Sequence, residues 1–508
     1  MVLFFTEPAV DFLTCHKTHA CLFCAAFAFF SIFTPLGQAV SDTASSVETA
    51  KSIVYRKSLS IDKNWVLRYA KPGRNNRYYS KYGIGYAVSF VPEICIAALI
   101  SKIMPSHKEY IERSILSFTN TLYASCIAVL FFILFVKLGY SPKLSLAAVF
   151  AICSSSILLP YSKIIQSETL TTLLLLLFLI IVADAQKIGP LLGALLGCIL
   201  AGLYLVKISN VIFTLIIGFY VFYNLKKRKC EQGAGVLFLC ISLLPLAGLL
   251  YLNWYRFGSV FNFGYGAEQK QFSTPIMTGL FGFLFSPSKS LFIFSPLIIT
   301  GFLGIKSFFA KHRLMTVTIL ALAIIDVVFY ARWHDWPGGW AWGPRLIVPV
   351  IIIMHVFCIE FFARMKAKVW AKTVFAVLFV IAVEVQFLGS MVSYQQIHYF
   401  YSDPFSVHNS QIEVAAKLFM HKAQGKEEIY TCKDFNFNCQ EKPYERDGRM
   451  FGGSTYDFRD RGTFLGFATL WSGIHYNFGW KYIEYFPLIL LLFSVACARA
   501  AWKTIPAN

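Results

Sequence analysis

The sequence predicts an all-α polytopic membrane protein, and three observations carry that prediction: composition, long apolar runs and the distribution of cations. Of the 508 residues, 57% are hydrophobic and only 14% are charged, whereas soluble domains carry about a quarter charged residues. Runs such as 170–183, 188–205 and 485–498 are nearly free of charge and approach the ~20 residues that a spanning helix needs. Helices satisfy their backbone hydrogen bonds in lipid, and the short alternating segments of a barrel are not seen.

The cations between these runs predict the topology. The net charge of +19 does not indicate nucleic-acid binding, because Lys and Arg are scattered and form no single patch. Basic groups at 226–229, 306–313 and 364–372 are typical of cytoplasmic loops, so all three belong on one side. This rule gives about twelve spans with both termini inside. They are predicted near 20–40, 117–137, 143–160, 167–184, 188–206, 209–225, 234–253, 289–306, 314–331, 345–363, 369–391 and 481–500.

The spans divide the chain into three predicted parts. Residues 1–391 form a transmembrane module with external loops at 41–116 and 254–288. An external polar region follows over 392–480, and 481–508 holds the last spanning helix and a cytoplasmic tail. The first apolar segment lacks a convincing cleavage site and is expected to stay as a span. The apolar stretch 83–104 would reverse the topology if it crossed, so we expect it at the outer interface.

The first external loop opens on an acid. Small and apolar residues follow Asp42 at helical spacing, which predicts a helix with Asp42 at its N-cap. Glu48 lies on the first turns of this helix and is a candidate substrate ligand. Helix capping alone would explain an Asp here. An acid kept at the outer membrane surface also indicates binding or catalysis, because such a group is costly to retain without a role.

Further along the same loop, the segment 73–85 combines three cations with three tyrosines and flexible glycines. Arg77, Tyr79 and Lys81 are candidate ligands here, because cations at headgroup level suit a lipid-linked phosphate and aromatic rings suit sugar faces. The alternative is an anchor for anionic membrane lipid.

A second acid, Glu168, opens a span from the outer side. A carboxylate at a helix start is stabilised by the helix dipole and needs no function to occur there. Three cations nevertheless share that outer placement against the usual bias, namely Lys207, Arg256 and Arg345. Arg holds phosphate groups through two parallel hydrogen bonds, so these cations predict an anionic ligand such as a polyprenol phosphate.

A short external link over 332–345 holds four Trp, three Gly and two Pro residues, together with His334 and Asp335. This composition predicts a rigid aromatic turn whose His and Asp are candidate substrate ligands. An interfacial aromatic belt is the simpler interpretation.

Three isolated polar residues lie within predicted spans and are expected to be buried inside the bundle: Asp326, His355 and Glu384. Each would suit a proton relay in a transporter, although polar residues paired across helices are the commoner case.

The sequence contains little evidence for a metal site or a disulfide. No glycine-rich phosphate loop, HExxH motif or zinc-spaced CxxC pair occurs outside the membrane, although two outer carboxylates could share a divalent cation. Cys432 and Cys439 alone among the cysteines fall in a polar segment. They could form a disulfide if that segment faces an oxidising compartment, but their spacing is not diagnostic.

The order of the motifs resembles the GT-C glycosyltransferases. The motifs are Asp42 with Glu48 six positions later, then RYYSKYGIG, PYSKIIQSE, NWYRFGSVFNFGY, GLFGFLFSPSKSLFIFSP and WPGGWAWGPR. They look most like bacterial relatives of the protein mannosyltransferase and aminoarabinose-transferase group, which use polyprenyl-phosphate sugars. The resemblance covers about residues 20–390 and ends before 392.

The resemblance implies roles for individual residues. Asp42 would be the catalytic carboxylate, acting as a base while the acceptor attacks the anomeric carbon and the lipid phosphate leaves. Glu168 would be the second acid, which binds the acceptor or a metal, and Lys207 and Arg345 would face the donor phosphate. Relatives of the aminoarabinose group carry Glu-Lys where this chain has Ser80 and Lys81, so one metal ligand is missing.

The predicted function is therefore an inverting hexosyl- or pentosyltransferase in the cell (inner) membrane, with its active site facing the periplasm or exterior. It would move a sugar from a polyprenyl-phosphate donor to a lipid, glycan or protein acceptor. A lipid phosphate leaves readily, so the enzyme needs an oriented acceptor, one base and cations. A transporter or flippase of a lipid-linked sugar is the alternative, although no internal repeat is detected. An assembly partner is a third.

Overall fold

The computed structural model describes most of the chain, and the described residues are almost entirely helical. They are 9–35, 41–61, 70–184, 187–227, 229–266, 271–365, 368–394, 397–398, 401, 403–424, 429–431, 444–446, 449–451, 455–457, 483 and 485–505. Side chains at 9–15 and 41–42 lie outside this description, as do Cys432 and Cys439. Helix makes up 77% of the structure, which confirms an all-α polytopic membrane protein.

The first half of the chain forms an N-terminal helix, an external segment and six further helices before residue 230. In order these are α1 Ala9–Ser31, α2 Ser41–Lys51, β1 Ala70–Pro72, β2 Tyr78–Ser80, α3 Ile84–Ser89, α4 Val91–Ser101, α5 Lys108–Leu116, α6 Thr119–Lys137, α7 Pro142–Ser155, α8 Leu158–Tyr161, α9 Ser167–Asp184, α10 Pro190–Val206 and α11 Thr214–Lys226.

In the second half, the described residues contain ten α-helices and four short strands. In order these are α12 Gln232–Phe257, α13 Ile276–Phe285, α14 Leu291–Phe294, α15 Ile298–Lys311, α16 Arg313–Ala331, α17 Val348–Met354, α18 Cys358–Met365, α19 Val369–Met391, α20 Gln411–Ala423, β3 Ile429–Thr431, β4 Tyr444–Arg446, β5 Arg449–Phe451, β6 Thr455–Asp457 and α21 Phe486–Thr504. The strands form three antiparallel pairs, β1 with β2, β3 with β6 and β4 with β5.

Among the described residues, nine helical stretches are long and apolar enough to cross a membrane, and three shorter apolar helices accompany them. Most of the predicted spans coincide with these helices. The prediction for the first span is wrong by about ten positions, because α1 ends at Ser31 and not near residue 40. Pro35 follows closely, and a proline disfavours helical backbone in the residue before it.

Three further segments differ from the prediction. The predicted loop 254–288 contains an apolar helix, α13, in which Gly279 lies against the backbone of Ala331 at the end of α16. The predicted spans 289–306 and 143–160 are each broken. Ser295 and Pro296 interrupt the first between α14 and α15, and Ser156 adopts extended backbone between α7 and α8.

The apolar stretch 84–101 is long enough to span only if its two helices are counted together. The chain turns at Phe90, which separates α3 from α4, and α4 has only 11 residues. A helix of that length extends roughly 16 Å, about half the thickness of a bilayer core. The interfacial position of this stretch remains a prediction.

Helix packing brings the ends of the chain together. Thr18 and Thr504 share a hydrogen bond of 2.7 Å, and Ser494 donates to the Ala25 carbonyl at 2.8 Å, so α1 lies along α21. The ends of α7, α15 and α18 are fastened by Glu360, which is fully buried. Its carboxylate accepts from Tyr140 at 2.7 Å, Lys311 at 2.9 Å and Arg364 at 2.8 Å.

Candidate functional site

One buried acid and two cations meet at one end of the bundle. Glu168 is 1% exposed, and its Oε1 atom lies 3.3 Å from Lys207 Nζ and 3.3 Å from Arg345 Nε. The two cations are partly open, with side-chain exposures of 23% and 13%. Two cationic groups thus share one carboxylate. We call these three residues the acid–cation cluster.

Each member of the cluster stands where a helix begins or ends. Glu168 is in the first turn of α9, and Lys207 adopts extended backbone between α10 and the 3-10 turn Ile208–Phe213. Arg345 starts a 3-10 turn that leads into α17. Three distant parts of the sequence therefore converge at the same end of the bundle.

Lys207 has a second contact with an aromatic residue. Its ammonium group lies 5.0 Å from the centroid of the Tyr330 ring, and the Tyr330 hydroxyl is 2.7 Å from the Ser209 hydroxyl. Burial alone would lower the pKa of Lys207, but Tyr330 and Glu168 more than offset it, so the pKa is raised. Lys207 therefore stays cationic across the physiological pH range.

The segment before Glu168 is held by an asparagine that the sequence analysis did not single out. Asn120 is fully buried near the start of α6, and its amide lies within hydrogen-bonding distance of the carbonyls of Tyr161 and Gln166, at 3.3 and 3.0 Å, and of the Thr169 hydroxyl at 3.1 Å. One side chain thereby fixes the turn that leads into α9.

The helix that carries Asp42 lies against this same segment. Thr43 donates a hydrogen bond from its hydroxyl to the Ile165 carbonyl, three residues before Glu168. Val47 and Ala50 of α2 also join an apolar cluster with Ile165. The helix begins at Ser41, so Asp42 lies in its first turn and not at the predicted N-cap. The Asp42 side chain is outside the described residues.

Two glycines of the KYGIG motif bring the start of α3 close to Lys207. A Cβ atom on Gly83 would lie 2.3 Å from the carbonyl oxygens of both Leu205 and Val206, and one on Gly85 would lie 2.8 Å from Leu205. Only glycine fits at such distances. The start of α3 is therefore packed directly on the last turn of α10, next to Lys207.

The predicted ligands of the RYYSKY segment form a separate group around Arg256. Arg256 is 5% exposed and donates to the Ser80 carbonyl at 3.1 Å and to Asn253 Oδ1 at 2.8 Å. Tyr79 is 3% exposed and packs edge-on against two aromatic residues of α12. Lys81 lies over the rings of Tyr82 and Tyr265, and Arg77 is exposed beside β2.

Glu48 and Asp335 make their ion pairs and hydrogen bonds with residues outside the acid–cation cluster. Glu48 pairs with Lys51 at 3.4 Å, and Lys51 also binds Glu112 of α5 at 2.9 Å. His334 and Asp335 are exposed, and Asp335 accepts a hydrogen bond of 3.2 Å from the Gly339 amide, which stabilises the tryptophan-rich turn.

The three isolated polar residues have different surroundings. Asp326 is 2% exposed, and its Oδ2 has no hydrogen-bond partner among the described residues. His355 is buried with its Nδ1 2.9 Å from the Ile351 carbonyl, which is typical of a core histidine. Glu384 is exposed on α19, so its expected position inside the bundle is wrong.

A metal site was left open by the sequence. No group of three His, Cys, Asp or Glu residues lies together within the part of the chain that the structure describes. Ser80, at the position where the aminoarabinose group carries Glu, places its hydroxyl 3.0 Å from the Ser45 hydroxyl of α2. That position supplies no carboxylate.

Comparison with solved structures reveals similar folds. The archaeal oligosaccharyltransferase AglB from Archaeoglobus fulgidus, in complex with an inhibitory peptide and a dolichol-phosphate, has a TM-score of 0.48 and 10% identity over 76% of this chain and 56% of that chain. ArnT from Cupriavidus metallidurans, bound to undecaprenyl phosphate, has a TM-score of 0.42 and 13% identity over 83% of this chain and 82% of that chain.

This chain thus matches little more than half the length of AglB. No family model matches the chain, and no curated protein matches it by sequence.

Proposed function

We propose that this protein is a membrane glycosyltransferase that uses a polyprenyl-phosphate sugar as its donor and works at the extracytoplasmic face of the inner membrane. The observation that carries the proposal is the acid–cation cluster. Lys207 and Arg345 share one buried carboxylate and keep part of their surfaces open. A cluster of this kind suits a phosphate group at the membrane edge.

In this mechanism the two cations bind the donor phosphate and stabilise the charge that it gains as the glycosidic bond breaks. Groups that are already in place when charge develops stabilise a transition state most effectively. Glu168 is too buried to reach an acceptor, so its part is to offset the repulsion between Lys207 and Arg345 until the phosphate binds. This assigns Glu168 an electrostatic role in place of contact with the acceptor or a metal.

Asp42 is the proposed base. The start of α2 lies beside Ile165 through the Thr43 hydrogen bond, which places the Asp42 backbone near the segment that leads to Glu168. Asp42 would take the proton of the acceptor while the acceptor oxygen attacks the anomeric carbon from the side opposite the phosphate. The carbon–oxygen bond to the lipid phosphate breaks in the same step, and the configuration inverts.

The RYYSKY hairpin forms one wall of this region. Its three predicted ligands are Arg77, Tyr79 and Lys81, and Arg256 binds the carbonyl of Ser80 between them. Because Tyr79 and Arg256 are buried, they would support the wall, whereas Arg77 and Lys81 would meet the lipid headgroup or the acceptor. His334 and Asp335 would contact the acceptor from the tryptophan-rich turn.

The transfer activity is tested by mass spectrometry of envelope lipids and glycans from cells with and without the protein. We expect one sugar modification to disappear in cells that lack it and to return with the wild-type protein but not with Asp42→Asn. A modification that is restored equally by both forms would contradict a catalytic role. Cells that lack a flippase would also lose the modification. A purified flippase in detergent, however, would release no lipid phosphate.

A further inference from the structure

A buried lysine outside the proposed mechanism contacts the loop that precedes Arg345. Lys289 lies between α13 and α14 and is fully buried. Its Nζ atom donates to the carbonyl oxygens of Ala341 at 3.3 Å and Gly343 at 3.1 Å. A buried amino group is costly unless it is hydrogen-bonded, so these two contacts hold the Ala341 and Gly343 carbonyls beside Lys289.

A buried glutamine from the external region binds the same two residues. Gln411, the first residue of α20, is 1% exposed. Its Oε1 accepts from the Gly343 amide at 2.8 Å, and its Nε2 donates to the Ala341 carbonyl at 3.0 Å. The Gln411 backbone amide in turn donates to Ser288 Oγ at 3.2 Å, beside Lys289. The two side chains thus hold residues 341–343 between them.

The backbone of 341–343 determines where Arg345 starts. Gly343 has a φ of +62°, and its carbonyl also accepts the Arg345 amide at 3.0 Å. A Cβ atom at Gly343 would lie 2.7 Å from the Phe294 ring, so the turn has no room to shift. The Tyr161 hydroxyl donates to the Trp342 carbonyl at 3.0 Å, which ties the same turn to the segment before Glu168.

We propose that Lys289 and Gln411 are positioning residues, which fix the 341–343 backbone so that Arg345 remains on Glu168 and faces an anionic ligand. The ligand part of this inference rests on the proposed function. The inference also gives the external region after residue 392 a role, because Gln411 connects it to the cation of the site. Neither residue touches the substrate.

The test is the affinity of the purified full-length protein for undecaprenyl phosphate. Lys289→Met and Gln411→Met keep the side-chain volume but remove the hydrogen bonds to the loop. We expect each to weaken binding about tenfold or more, and Lys289→Arg to recover part of the loss. Asn224→Leu is the matched control, because it removes a buried amide that donates only to the Tyr220 carbonyl in α11.

A double-mutant cycle distinguishes an effect through Arg345 from a general structural effect of the substitutions. If Lys289 and Gln411 act through Arg345, neither substitution should weaken binding further in an Arg345→Gln protein. Losses that add in that background, or an affinity that is unchanged in the single variants, would overturn the proposal.

Amide hydrogen exchange keeps this inference distinct from the proposed function. Faster exchange of the Gly343 and Arg345 amides is expected in both methionine variants, with exchange unchanged in Asn224→Leu. If the wild-type protein does not bind undecaprenyl phosphate, the proposed function fails, but the exchange rates still test the positioning role of Lys289 and Gln411. Exchange of these amides in the methionine variants at the wild-type rate would overturn that role.

Discussion

Thr43 donates its hydroxyl hydrogen bond to the backbone carbonyl of Ile165, and this contact joins the first external helix to the segment that carries Glu168. Thr43 is 1% exposed, so water does not compete for the bond. The two residues are 122 positions apart in the sequence. The contact places the two predicted acidic segments next to each other at the backbone level.

Thr43→Val should lower the turnover number more than the donor affinity. The substitution keeps the shape of the side chain but removes the bond that orients α2, and small displacements of a catalytic base are costly. We expect turnover to fall about tenfold, measured as lipid phosphate released by purified protein. The control is Thr316→Val, which removes an equally buried hydroxyl that donates to the His312 carbonyl in α16. Equal losses in both variants would argue against a role for α2 orientation.

Glu168→Gln should destabilise the protein and increase the stabilisation that it gains from bound undecaprenyl phosphate. Without the carboxylate, Lys207 and Arg345 lose their shared counter-charge, and breaking a buried ion pair costs about 3–5 kcal/mol. A bound phosphate would replace part of that charge. Thermal unfolding should therefore show a lower midpoint, and a larger increase with undecaprenyl phosphate than in the wild type.

The matched control for this experiment is Glu360→Gln. Glu360 is also a buried acid with two cationic partners, but it fastens the ends of α7, α15 and α18. Glu360→Gln should lower the midpoint of thermal unfolding, and undecaprenyl phosphate should raise that midpoint no more than in the wild type. If undecaprenyl phosphate stabilises both variants to the same extent, the acid–cation cluster is not the phosphate site.

Arg345→Lys should bind undecaprenyl phosphate more weakly than the wild type but more tightly than Arg345→Gln. A lysine keeps the charge and loses the paired hydrogen bonds that a guanidinium makes to phosphate. We expect Arg345→Gln to weaken binding about 100-fold, because hydrogen bonds to charged groups contribute about 1.5–3 kcal/mol each. Equilibrium binding in detergent measures both. Equal affinities for all three forms would exclude Arg345 from the site.

Gly83→Ala should reduce both stability and activity. The added Cβ would lie 2.3 Å from two carbonyl oxygens at the end of α10, so the external loop or Lys207 must move. Gly189→Ala is the control, since nothing lies within 4 Å of a Cβ at that position. Thermal unfolding and lipid phosphate release test the pair, and a Gly83→Ala protein that matches the control in both would contradict the packing described here.

Hydropathy and charge placement predicted the bundle because the membrane constrains helix length and loop charge so strongly. The same reasoning grouped Glu168, Lys207 and Arg345, since cations on the outer side needed an explanation. It also grouped Arg256 with them, but Arg256 supports the RYYSKY hairpin. Hydropathy cannot separate Arg256 from the cluster residues. It predicts the depth of a residue in the membrane but not its position around the bundle.

The residues that sequence reasoning missed act through the backbone of distant segments. Asn120, Lys289 and Gln411 each hold a turn by hydrogen bonds to its main chain, and such partners leave no local pattern. Lys289 offered one usable signal, a cation at the edge of an apolar run in the SPSKSLF segment. Gln411 offered none, because the motifs that resemble a known family end before it.

The most direct measurement of the proposed catalysis is sugar transfer by purified wild-type and Asp42→Asn proteins in detergent, with undecaprenyl phosphate binding measured on the same samples. A catalytic base contributes about 10²- to 10⁴-fold to a rate. We therefore predict that Asp42→Asn loses transfer by that factor while its affinity for undecaprenyl phosphate stays close to that of the wild type. Transfer at the wild-type rate by Asp42→Asn would contradict the mechanism.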